Sequence, residues 1–67
     1  MLVNFYVSRG NDFESFHETG LDILGALPRV GDEIHIDDVQ GVVSVVRWRI
    51  KEEKQVVAVI VNECTLE

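Results

Sequence analysis

The run from Gly31 to Asn62 limits what this chain can fold into more than any other stretch. It reads GDEIHIDDVQGVVSVVRWRIKEEKQVVAVIVN: an alternating segment, a charged connection, and a second alternating segment. Val42, Val43, Val45, Val46, Val56, Val57, Val59, Ile60 and Val61 are branched at Cβ, which stiffens the first side-chain torsion and suits a pleated surface. With Lys51-Glu52-Glu53-Lys54 as the connection, Ile50 faces Gln55, Trp48 faces Val57, Val46 faces Val59 and Ser44 faces Val61. Side chains alternate between faces with a period of two, so these residues share one face with Val42. The other face carries Val43, Val45, Arg47 and Arg49 against Val56, Ala58 and Ile60. Both faces are rich in apolar groups, whereas a hairpin with one wet side alternates apolar with polar. The second face therefore needs a cover: the N-terminal segment, the curl of a small barrel, or another copy of the chain.

Size sharpens that need. At 67 residues the chain makes one domain, residues 1–67, near the limit at which a single core is marginal without help. The one cysteine, Cys64, allows no internal disulfide and fits a cytoplasmic setting. His17 and His35 lie far apart, so no metal cluster is expected, and no cofactor. No apolar run approaches the roughly 20 residues of a membrane-spanning helix. Met1 leads straight into a strand-like segment with no basic start, which argues against a signal peptide.

Six Lys and Arg against twelve Asp and Glu give a net charge of −6. Unspecific attachment to nucleic acid or to anionic lipid depends on clustered cations, so direct nucleic-acid binding and membrane binding are not expected. The distribution says more than the total. Between Asn11 and Asp38 stand eight acids (Asp12, Glu14, Glu18, Asp22, Asp32, Glu33, Asp37, Asp38) and one base, Arg29. Arg47, Arg49, Lys51 and Lys54 gather at one end of the hairpin instead. The spacing predicts a molecule acidic at its loops and locally basic near Trp48.

From the start of the chain, Leu2 to Val7 is a first strand with Val3, Phe5 and Val7 on one side. Ser8 to Asp12 is a turn, because Gly10 tolerates positive φ and Asn11 and Asp12 bond their own backbone. In FESFHETG a helical spacing (13, 16, 17) competes with a strand spacing (14, 16, 18), so the segment reads as an irregular or partly extended loop. Leu21 to Leu27, interrupted by Gly25, fits one helical turn or a short extended stretch that plugs an end of the core. Pro28 bars a helix from continuing. Val30-Gly31-Asp32 is a turn and Glu33 to Ile36 a strand with Ile34 and Ile36 inward. The third strand starts near Gly41. The fold expected is all-β: a small, strongly bent antiparallel sheet or small barrel of four or five strands, with a long irregular loop after the first.

Leu27-Pro28-x-Val30-Gly31-Asp32-x-Ile34-x-Ile36, followed by Val42, Val45 and Trp48, a charged turn and a valine-rich strand, resembles a group of small phage and prophage proteins with the same layout. The resemblance covers about two-thirds of the chain and implies a strongly bent barrel of the Src-homology-3 (SH3) type. It carries over no site residues, and small barrels host many functions, so it does not choose one.

Each candidate site has a plain structural alternative. Trp48 stands between Arg47 and Arg49, a combination that can stack and clamp an anionic ring system. The register, however, puts Trp48 on the core face and both arginines on the other. Arg47 and Arg49, two apart on one face, are the better candidates for capturing phosphate or carboxylate; the alternative is pairing with Glu52, Glu53 or Glu63. His17 and His35 have no nucleophile or acid–base partner at a suggestive spacing. Asp32-Glu33 and Asp37-Asp38 lack the spacing of a calcium loop and read as solvated turns. Cys64 has acidic neighbours that suppress the thiolate, so it reads as inert.

No motif supplies a preorganised nucleophile, base or metal, so an enzyme is not expected. Two readings remain open. In the first, the chain is a homo-oligomeric binding module that captures a small anionic, nucleotide-like ligand or a partner at a subunit interface. Tyr6, Arg47 and Arg49 hold the ligand, and Val43, Val45, Val56, Ala58 and Ile60 form the interface. With the phage resemblance, a concrete form is an anti-defence protein in the host-cell cytoplasm that soaks up a nucleotide-derived immune signal. In the second, it is an acidic structural or decoy subunit, such as a virion component, that binds a host protein and no small ligand.

Overall fold

A computed structural model describes residues 1–51 and 54–65, with the side chains of Lys51 and Lys54 left out. Five strands and one helical turn follow in order: β1 (Leu2–Arg9), β2 (Asp12–Gly20), α1 (Leu21–Leu24), β3 (Glu33–Ile36), β4 (Val39–Lys51) and β5 (Lys54–Glu63). They form one sheet in the order β2-β1-β5-β4-β3, strongly curled into a half-barrel. The all-β class and the bending expected from the sequence are both present.

Two pairings differ from expectation. The sheet is not antiparallel throughout, because β1 runs parallel to β5, with Val3 beside Val57 and Val7 beside Val61. The segment read as an irregular loop is instead a nine-residue strand, β2, that closes a tight hairpin onto β1 through Gly10 and Asn11. Gly10 sits at φ +61, where a side chain would be strained. The confusing spacing of FESFHETG has a physical cause. The register slips between Phe5↔His17 and Tyr6↔Ser15, so Phe16 is an extra, bulged residue. A bulge breaks strict alternation. Phe16 and His17 consequently both reach the Phe5 ring, at centroid distances of 6.2 and 5.8 Å.

The core lies on one face of the sheet. Val3, Phe5, Val7, Val57, Val59 and Val61 are fully buried, with Val43 beside them. Phe16, Leu21, Leu27, Ile34, Ile36 and Val46 pack around the cluster. Leu21 and Leu27 come from the segment expected to plug the core, and α1 is its single turn. The chain then reaches β3 through a turn at Arg29–Asp32. There the Arg29 N–H donates to Asp32 Oδ2 at 2.8 Å, and the Asp32 N–H donates back to the Arg29 carbonyl at 3.0 Å. Gly31 makes this possible at φ +98. β4 begins at Val39, two residues earlier than expected, because Asp37 takes a left-handed φ of +53 and closes a two-residue hairpin.

The register of the long hairpin is as expected from Ile50↔Gln55 to Val45↔Ile60, then changes. Val45 faces Ile60 and Val43 faces Val61, leaving Ser44 as a bulge whose Oγ donates to the Ile60 carbonyl at 3.2 Å. One extra residue exchanges the two faces for everything before it. Val43, expected on the second face and in the interface, therefore belongs to the core at 1% exposure. Val42 changes sides with it and pairs with Asn62 instead. Glu52 and Glu53, in the expected connection, lie outside the described residues.

Trp48 keeps its place on the core face but is not a core residue: it is 52% exposed. The covering loop reaches only as far as Val46 and Trp48, and Ile50 beyond it is bare. Trp48→Ala should therefore cost about 1 kcal/mol or less, against roughly 3–5 kcal/mol for deleting a buried aromatic. Chemical denaturation measures it, and efficient acrylamide quenching of the native indole is the accompanying sign. A loss above 3 kcal/mol would contradict the placement.

Candidate functional site

The face opposite the core is where the sequence places its candidate residues. β5 runs down its middle with Val56, Ala58 and Ile60 pointing out. The pairings lay three rungs across the sheet: Leu2–Val56–Arg49, Asn4–Ala58–Arg47 and Tyr6–Ile60–Val45. Ala58 is the smallest side chain of its neighbourhood and sits on the central rung. An open depression of about 760 Å³ lies over it, walled by Val45, Val56 and Ile60 and edged by Tyr6, Arg47 and Arg49.

Tyr6, far in sequence from Arg47 and Arg49, thus comes to one hollow with them. Four of the five expected interface residues, Val45, Val56, Ala58 and Ile60, form its floor and walls; Val43 does not. Strands are spaced about 4.8 Å apart and residues about 3.3 Å along a strand, so the backbones of Tyr6 and Arg47 are roughly 12 Å apart. One phosphate is too small to bridge that span from the backbone. A longer molecule, with a ring at one end and an anion at the other, matches it better.

No family model, curated protein or solved structure matches this chain.

The electrostatics of the hollow are simple. Arg9 pairs with Glu14 at 3.1 Å and with Glu63 at 3.6 Å. Glu63, a possible partner for the hairpin arginines, is thereby engaged at the other end of the sheet. Glu52 and Glu53, the other expected partners, are outside the described residues. Among the described residues Arg47 and Arg49 make no ion pair, and both are exposed. Two guanidiniums beside an apolar floor favour an anionic group, because the floor lowers the local dielectric and the fork geometry of Arg suits phosphate and carboxylate.

Four lining residues escaped the sequence reading: Ser8, Phe13, Ser44 and Asn62. Phe13 is placed there by the β1–β2 hairpin, which sets it opposite Ser8, and it is 60% exposed. Its signal was the Arg9-Gly10-Asn11-Asp12 turn, which fixes the pairing once Asp12–Gly20 is taken as a strand. Other candidates stay dispersed. His17 packs on Phe5, His35 is exposed on β3, and Cys64 is a free, exposed thiol. Among the described residues, no group of three or more His, Cys, Asp or Glu is placed to hold a metal ion. No helix among them is long and apolar enough to cross a membrane.

Proposed function

We propose that this protein is a non-enzymatic binding module that captures a small anionic, nucleotide-like molecule in the hollow over Ala58. The single observation supporting it is the meeting of Tyr6, Arg47 and Arg49 around one apolar depression. A base lies on the Val56–Ile60 floor toward Tyr6 and Phe13, where aromatic stacking contributes roughly 1–3 kcal/mol per base. The phosphates face Arg47 and Arg49, which bind them through charge-assisted hydrogen bonds. The hollow is open on its outer side, and a second copy of the chain closes it and excludes water. The exposed Val45 and Phe13 on this face favour that assembly. With the phage-like layout, the role is that of a sponge for a nucleotide-derived immune signal.

Differential scanning fluorimetry against cyclic and linear nucleotides is the test, with mass in solution measured alongside. At least one ligand should raise Tm, and the shift should vanish in Arg47→Ala/Arg49→Ala and in Ala58→Phe, which fills the hollow. No stabilisation by any nucleotide would end this reading, and a strictly monomeric ligand-bound species would remove the shared-site part of it.

The acidic-decoy reading draws on a different observation. Asp32, Glu33, Asp37 and Asp38 are all exposed around β3. Reversing those four charges abolishes protein capture under that reading and leaves nucleotide binding nearly intact.

A further inference from the structure

We infer that the outer edge of β4, from Ser44 to Ile50, docks an extended, acid-bearing segment of a partner protein as a sixth strand. β4 has thirteen residues and its neighbour β3 only four. Their pairing ends at Val42, and Gly31 and Asp32 add one hydrogen bond each to Val43. Beyond that point, among the described residues, no strand lies on this side of β4. Alternate backbone N–H and C=O groups there face outward with no ladder partner, a ready template for an incoming strand.

The side chains along that edge specify what would fit. Arg47 and Arg49 point to one face of the sheet, and Val46, Trp48 and Ile50 to the other. Ile50 is 70% exposed, and a hollow of about 430 Å³ opens beside Val46 and Trp48, bounded by Leu27, Pro28 and Val30. An added strand therefore meets cations on one face and an apolar slot on the other. Alternating side chains satisfy both when acids and apolar residues take turns. A second copy pairing β4 with β4 is disfavoured, because antiparallel apposition sets the arginines of the two copies against each other. The opposite edge of the sheet, β2, is guarded differently, since Asp12, Glu14 and Glu18 stand along it and deter edge-to-edge addition. Charge complementarity thus selects an acidic strand of another protein.

The probe is a capped synthetic peptide of roughly eight residues alternating glutamate with valine, about the length of an ordinary strand. It is titrated into the full chain while Trp48 emission and amide hydrogen exchange are followed. Saturable change at Trp48 and slowed exchange of alternate amides between 45 and 50 are expected. Methylating alternate peptide nitrogens on the pairing edge should abolish both, a lysine-for-glutamate peptide should not bind, and Arg47→Ala/Arg49→Ala should weaken binding roughly tenfold. Absence of saturation, or binding indifferent to N-methylation, overturns the inference. So does protection of 45–50 that grows with protein concentration alone, which would make a second copy the occupant. Ala58→Phe separates this from nucleotide capture: it fills the hollow on the face and leaves the β4 edge open.

Discussion

Gly41→Ala is expected to remove a large part of the stability of this fold. Gly41 is buried on the core face of β4, paired with Glu63 of β5. An added Cβ overlaps the carbonyl oxygen of Asn62 and comes within 2.8 Å of its carbonyl carbon and of Val61 Cγ1. Two of those three atoms are backbone in the central ladder, so relief requires β5 to move. Overpacking of this kind costs about 3 kcal/mol. A domain of this length has a total of only roughly 3–10 kcal/mol, and the loss lowers Tm by roughly 12–24 °C. Gly20→Ala is the control, since the clash there is with the flexible Asp22 carboxylate. Circular dichroism melts of both variants decide it, and similar Tm values for the two would show that β5 yields without cost.

Phe5→Ala should be at least as damaging. Phe5 is fully buried at the centre of the core and touches both residues of the β2 bulge, Phe16 and His17. Deleting a ring in such a site costs roughly 3–5 kcal/mol, from lost transfer free energy and the cavity left behind. The bulge offers little to fill the gap, because Phe16 is held by the hairpin register. The variant should be largely unfolded at room temperature, whereas Phe5→Leu keeps most of the volume and should fold with a lowered urea midpoint. A folded Phe5→Ala, with a midpoint within about 1 kcal/mol of the parent, would mean that the core is far more plastic than its packing implies.

Most of the architecture was legible where alternation is uninterrupted. Val3, Phe5 and Val7 mark one face of β1, and the six positions from Val45 to Ile50 have the facing that a period of two dictates. Legibility failed at the two bulges. Phe16 and Ser44 each insert one residue, and every side chain on the far side of a bulge moves to the other face. That is why FESFHETG looked half helical and why Val43 was assigned to an interface when it is in the core. The sequence leaves Ser44 as a faint clue: a hydroxyl between two valine pairs, able to bond the partner strand's carbonyl. The parallel pairing of β1 with β5 was not readable either, because local pattern carries no information about which strands become neighbours.

The candidate site followed the same rule. Tyr6, Arg47 and Arg49 were found because they lie on regular stretches. Phe13 was missed because the bulge at Phe16 breaks the alternation by which its strand would be recognised. Trp48 was assigned to the right face but not the right depth, since burial depends on how far the loop after α1 extends, and composition does not encode that reach.

The side-by-side placement of β1 and β5 bears on how the protein comes into being. Leu2 lies beside Val56, 54 residues further along the chain, and the length-dependent part of closing such a loop is roughly 3.5 kcal/mol of entropy. As the polypeptide emerges from the ribosome, Val3, Phe5 and Val7 leave the exit tunnel long before Val57, Val59 and Val61. The first hairpin must wait, with its greasy side open to chaperones and to other nascent chains, until the last strand is free to slot in beside it.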